Sequence, residues 1–147
     1  MSEGKEARTI IVAIDGSAEA RNASAYALSL ARDLGAKLCA LYVMDTHTAR
    51  SLGLHLIEAI REMNQEGDSV IEGVVQQARQ LGVEADGLLV EGKPGEEICK
   101  AAAARRADMI VVGAQGKSAL AGMVLGSVSE YVIHHAQRPV LVVRGQG

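Results

Sequence analysis

Residues 9 to 15, Thr-Ile-Ile-Val-Ala-Ile-Asp, form an unbroken apolar run closed by an acid and then by Gly16-Ser17. Apolarity without alternation describes a strand covered on both faces, which is an interior strand of a parallel sheet. The same signal returns at Leu38 to Met44, again ending in an acid, Asp45, and at Met109 to Val112, ending in Gly113. Between these runs the period changes to that of a helix. Ala20, Ala23, Ala27, Leu30, Ala31 and Leu34 recur on one helical face, and Gly35 stands where the helix should stop. Leu56, Ile57, Ile60, Met63, Val70, Ile71, Val74, Val75, Ala78 and Leu81 mark a longer helix, interrupted at Gly67 and closed by Gly82. Glu84 to Val90 reads as a short, more polar strand near a sheet edge. Pro94 leads a helix from about Gly95 to Arg106, and a last helix covers about Val128 to Ala136. Pro139 to Val143 is the final strand, its proline tolerable at an edge.

Five strands alternating with four helical segments predict an α/β fold: a doubly wound five-stranded parallel sheet with helices on both faces. With one helix pair on each face the order is 3-2-1-4-5, which reverses direction between strands 1 and 4. Ligands of such sheets bind at the carboxyl ends beside that reversal. Asp15, Gly16 and Ser17 fall there, as does the chain from Gly113 onward. The 147 residues predict one domain, 1–147, with a flexible amino terminus over 1–8 and mobile loops over 45–53 and 114–125.

Composition removes several functions. A formal charge of −3 gives no electrostatic footprint for nucleic acid. With no Trp, no Phe and only Tyr26, Tyr42 and Tyr131, base-stacking platforms are excluded, and a bound purine must be gripped by aliphatic side chains and backbone. No apolar run approaches the roughly 20 residues that span a bilayer, and the charged start Met1 to Arg8 lacks the apolar core of a secretory signal, so a cytoplasmic location is expected. Cys39 and Cys99 sit inside apolar patterns without metal-ligand spacing and read as buried small hydrophobes. His134-His135 lies near a helix end, where imidazolium suits the dipole. No protein metal site is predicted.

The informative segment runs from Gly113-Ala-Gln-Gly116 through Lys117 to Gly126-Ser-Val-Ser-Glu130. Gly113 and Gly116 allow positive φ and the close approach of a bulky anion, and Gly126 does the same where a helix begins. Free amides at that helix start, with its dipole, favour a phosphate, and the hydroxyls of Ser127 and Ser129 add polar contacts. Ser127-Val-Ser-Glu130 is equally a capping box, in which Ser127 serves only the helix. The segment is not a Walker A loop, because Gly-Lys-Ser at 116 to 118 would require glycine at 111, which is Val. Asp15 has two readings as well, a ligand contact or a turn-former bonding an amide two residues on.

The spacing Gly113-x2-Gly116-x9-Gly126-Ser127 resembles the ATP-binding signature of universal stress proteins. Asp15-Gly-Ser, Tyr42-Val-Met-Asp45, Ala107-Asp-Met-Ile-Val-Val-Gly113 and Pro139-Val-Leu-Val-Val143 are similar to that family's other landmarks, so the likeness covers Thr9 to Arg144. The resemblance implies a fold of the adenine nucleotide alpha hydrolase-like type. It also implies ATP as ligand, with Mg2+ or Mn2+ carried by the phosphates. On this likeness Asp15 contacts the nucleoside, Ala13 is the small residue before it, and the Val43 backbone meets the adenine edge. Val112, Gly113, Gly116, Gly126, Ser127, Val128 and Ser129 line the ribose and phosphates. Gln115 departs from the His or Arg of many nucleotide-binding members, although its amide can still donate. The family commonly dimerises through the last strand, so a homodimer through Val140, Leu141, Val142 and Val143 is expected.

The expected function is a nucleotide-responsive binding protein in which ATP biases the 114–125 loop and a protein partner reads the change. Its competitors are a low-turnover ATPase and an interaction or dimerisation module without nucleotide. Phosphoryl transfer needs an oriented nucleophile and several charges on the transition state, and only Asp15 and Lys117 are placed to serve. No catalytic residue is assigned. A pyrophosphatase-type synthetase would need a Ser-Gly-Gly loop after strand 1. A response-regulator receiver is disfavoured because strand 3 ends in Val90.

Overall fold

In a computed structural model, which describes residues 8–53, 55–115 and 125–145, the five strands form one all-parallel sheet in the order β3-β2-β1-β4-β5. The elements in chain order are β1 (Thr9–Ile14), α1 (Ala18–Leu34), β2 (Lys37–Met44), α2 (Thr46–Ser51), α3 (Leu56–Gln80), β3 (Ala85–Glu91), α4 (Pro94–Ala104), β4 (Met109–Gly113), α5 (Ser127–His135) and β5 (Val140–Val143). Strand alternation divides the core in two. Ile10, Val12, Ile14, Tyr42 and Val111 pack with α1 and α3, whereas Ile11, Leu41, Ile110 and Val112 pack with Ile98 of α4 and Val132 of α5. Each fully buried aliphatic chain in these layers contributes about 1.5–3 kcal/mol.

Two expectations need correction. The stretch 45–53, read as an unperiodic connection, contains α2. Six residues are too few to show an apolar period, and the helix is instead started by Asp45, whose carboxylate accepts from the Thr48 amide and hydroxyl at 2.9 and 2.6 Å. Gly67 does not interrupt α3, which runs unbroken through it. A Cβ on Gly67 would lie 2.6 Å from Leu89 Cδ1 and 2.9 Å from Tyr42 Cδ1, so this glycine lets the helix approach the sheet. Beside it the Tyr42 hydroxyl donates to Glu66. Burial first, and that bond second, hold the phenol above its ordinary range.

Three helices end alike. A backbone amide two or three residues past the end reaches back to a carbonyl in the last turn: Ala36 to Ala31 (2.8 Å), Val83 to Ala78 (2.8 Å) and Ala107 to Ala102 (2.9 Å). The residue before each adopts left-handed φ, +64° at Gly35, +72° at Gly82 and +52° at Arg106. Arg106 does with a Cβ what its two counterparts do without one, at a cost of roughly 1–2 kcal/mol. Arg106→Gly is therefore expected to stabilise the chain by about 0.5–1 kcal/mol after the added freedom of the unfolded glycine, read as a higher urea midpoint at unchanged slope. An unchanged or lower midpoint counts against it.

Cys39 is buried between sheet and helices, as its apolar setting predicts. Burial pushes its thiol up to about 11 from an ordinary 9.0; the Arg105 guanidinium opposes this and the Asp86 carboxylate adds to it. The folded chain thus holds the thiol proton more tightly than the unfolded chain. This contribution is complete below pH 9.0 and disappears as pH rises to about 11. In melting curves taken from pH 8 to 11 (about the range that brackets the shift), Cys39→Val should lose less stability than the wild type, and parallel curves would contradict the assignment.

Candidate functional site

The carboxyl ends of β1 and β4, adjacent in the sheet, are where strand order reverses. At the end of β1, Gly16 takes φ +82°. This turn lets the Asp15 carboxylate accept from the Ser17 amide at 2.9 Å, while the Ser17 hydroxyl caps α1 by accepting from the Ala20 amide at 3.1 Å. Asp15 is therefore the turn-former that the sequence allowed. Half-buried beside the end of the strand, it still stands at the predicted crevice. Arg21 was not singled out from sequence, yet its Nη1 donates to the Gly16 carbonyl at 2.9 Å and brings a cation to this turn. The Asp-Gly pair was the local signal for the turn; nothing local announced the arginine.

At the end of β4 the chain leaves through Gly113, Ala114 and Gln115 and returns at Leu125 and Gly126 to start α5. The two ends are tied together. The Ala114 carbonyl accepts from the Gly126 amide at 2.6 Å and from the Ser129 hydroxyl at 2.8 Å. Gly126 is the N-cap residue, with φ −80° and no side chain to cap. Consequently Ser127 is the first helical residue, not the cap, and the capping box does not form: no side-chain cap bond is made at this end, and the Glu130 amide bonds the Gly126 carbonyl at 3.0 Å. The amides of Ser127, Val128 and Ser129 then have no acceptor among the described residues, nor does the exposed Ser127 hydroxyl. Three oriented donors at a helix amino terminus suit an oxyanion.

Three of the sequence-selected residues are used otherwise than expected. Gly113 does not take positive φ. A Cβ there would lie 3.1 Å from the backbone carbonyl oxygen of Glu19, so its missing side chain makes room for the first turn of α1. Gly126, at φ −80°, likewise needs no glycine-only backbone. Ser129 is 2 % exposed and its hydroxyl is committed to the Ala114 and Gly126 carbonyls, leaving only its amide to a ligand. Ala13, Val43, Val112 and Val128 do come together, all in or against the one core cluster on the α4 and α5 face of the sheet. Gln115 is half-buried at the end of the described β4 exit. Gly116, Lys117 and most of the 114–125 loop lie outside the described residues, as does the start of the chain through residue 7. Among the described residues no group of three or more His, Cys, Asp or Glu could hold a metal ion, and no helix is long and apolar enough to cross a membrane.

A parallel sheet ordered 3-2-1-4-5 with helices packed on both faces is a doubly wound α/β architecture. Within that class, the chain belongs to the universal stress protein family, whose model matches residues 6–144. It is 35% identical over 139 residues to universal stress protein MJ0531 of Methanocaldococcus jannaschii, covering 93% of this chain and 82% of that one. Among solved structures, hypothetical protein MJ0577 superposes with a TM-score of 0.85 at 28% identity, covering 95% of this chain and 97% of the other. A universal stress protein solved in complex with cAMP superposes with a TM-score of 0.65 at 27% identity, covering 95% of this chain and 98% of that one.

Proposed function

We propose that this chain is an adenine-nucleotide-binding regulatory protein, with ATP as its ligand, held at the carboxyl ends of β1 and β4. The observation behind the reading is the set of amides at Ser127, Val128 and Ser129 that have no acceptor among the described residues, at a helix start tied to the end of β4 through the Gly126 amide and the Ala114 carbonyl. A relative of the same fold in complex with cAMP supports an adenine ligand. In this reading the α5 amides and the Ser127 hydroxyl receive phosphate oxygens, with Gly126, Gln115 and Gly116 alongside. Ala13, Val43, Val112 and Val128 form an aliphatic wall for the base, and Asp15 accepts from the nucleoside. Gly113 and Ser129 serve by shaping the crevice. A divalent ion arrives on the phosphates, since the described residues supply no cluster to hold one alone. Bound nucleotide stabilises one arrangement of the chain between β4 and α5, which a protein partner or a second copy joined at β5 then reads. In this reading the nucleotide supplies negative charge and binding energy, and its hydrolysis is at most slow.

The test is a thermal-shift and calorimetric titration with ATP, ADP, AMP, cAMP and GTP, with and without magnesium. Adenylates should raise the melting temperature by mass action, by an amount corresponding to about 2.7 kcal/mol at a hundredfold excess over Kd, and GTP should not. No shift and no heat with any adenylate at near-millimolar concentration rejects the reading. In that event the interaction module is favoured, and the observation behind it is that Gly113 and Ser129 are both used by the protein itself.

A further inference from the structure

We propose that Ser129 is a positioning residue that fixes the angle between β4 and α5 and thereby holds the phosphate-facing amides in place. The inference rests on the adenine-nucleotide reading of the site. Both lone pairs of the Ala114 carbonyl are in use, one by the Gly126 amide at 2.6 Å and the other by the Ser129 hydroxyl at 2.8 Å. The Gly126 carbonyl, 3.1 Å away, is the second acceptor within reach of the same hydroxyl proton. One hydroxyl therefore touches both ends of the segment that leaves β4 and returns at α5, while belonging to the helix whose amides are at issue. Ala114 and Ser129 are 3 % and 2 % exposed, so water does not compete for these bonds.

The rest of α5 is anchored separately. Tyr131 is seated over Gly95 at the start of α4, where a Cβ would lie 2.6 Å from the ring, and it stacks on His135 at 3.9 Å between centroids. The carboxyl half of the helix is thus fixed by packing, and its first turn by Ser129 and the Gly126 amide. Ser129→Ala removes a donor without orphaning an acceptor, because Ala114 keeps the Gly126 amide and the Gly126 carbonyl keeps the Glu130 amide. The fold survives such a change with modest loss. What is lost is orientation: the first turn of α5 can pivot about its packed end, and its three amides no longer converge on one anion.

Amide hydrogen exchange without nucleotide, combined with AMP and ATP titrations of wild type, Ser129→Ala and Ser129→Thr, tests this. In Ser129→Ala the Gly126 amide should exchange roughly tenfold faster while the Ala136 amide, bonded to Val132 at the far end of α5, keeps its wild-type rate. Nucleotide Kd should rise about five- to tenfold, and Ser129→Thr, which keeps the hydroxyl, should restore much of both. Equal acceleration at Gly126 and Ala136 means general destabilisation and overturns the proposal. So does an unchanged rate at Gly126, or faster exchange there with unaltered Kd. If wild type itself binds no nucleotide, the function proposed above fails, and the exchange rates still report whether Ser129 holds the first turn.

Discussion

Ser127→Asp is expected to bind ATP about a hundredfold more weakly than the wild-type chain while melting at the same temperature or higher. Ser127 is exposed, is the first residue of α5, and makes no bond to the described residues, so replacing it disturbs no packing. A carboxylate in the first turn of a helix interacts favourably with the dipole, by about 0.3–1 kcal/mol. The same charge within roughly 5 Å of a bound phosphate costs about 3 kcal/mol at an effective dielectric constant near 20, close to two orders of magnitude in Kd. Opposite signs for stability and binding separate the site from the scaffold. Wild-type affinity in this variant would mean that the phosphates do not sit at α5. Repeating the titration at several salt concentrations adds a check, because the loss should shrink as the exposed charge is screened.

The largest stability effect is expected at Gly95. This buried glycine follows Pro94 in the first turn of α4, and a Cβ on it would lie 2.6, 2.8 and 2.9 Å from Cδ1, Cγ and Cβ of Tyr131. Those atoms include the root of the tyrosine side chain, so a rotamer change cannot clear them and the two helices must separate. Gly95→Val should cost about 3 kcal/mol and lower the melting temperature by roughly 6–12 °C. Tyr131→Ala in the same chain should recover part of that loss, giving a coupling energy in a double-mutant cycle that non-contacting residues would not show. A Gly95→Val chain as stable as wild type would remove Tyr131 as the packing anchor of α5.

The parts of the fold legible in the sequence are those set by period and by helix stops. β1, β2 and β4 carry uninterrupted apolar runs, and Gly35 and Gly82 end their helices where a left-handed residue is required. Glycines used for close packing were not legible as such. Gly67 and Gly113 were read as a break and as a turn, and in both cases the missing Cβ makes room for a neighbouring element: Leu89 and Tyr42 in one, the first turn of α1 in the other. A single sequence records that the side chain is absent but not whether backbone freedom or space is the reason. The same limit explains Ser127-Val-Ser-Glu130. Its pattern fits a capping box, but the helix begins at Ser127 instead of after it, since the amide of Gly126 is bonded to Ala114, a residue twelve positions earlier in the chain. Ser129 was chosen from sequence as a polar contact, and its real partner is likewise that distant carbonyl.

The sheet has two unlike margins. β3 carries Asp86 and Glu91, both exposed, with Glu84 just before it, whereas the four residues of β5 are Val140, Leu141, Val142 and Val143, half-buried and without charge. Asp86 is held by the Arg105 guanidinium at 2.8 Å and Glu84 stands 3.5 Å from the Lys37 ammonium, so any chain adding a strand at β3 would meet a row of ion pairs that must lose their water. A strand added at β5 would meet aliphatic side chains alone, and the cost of covering the two margins differs accordingly.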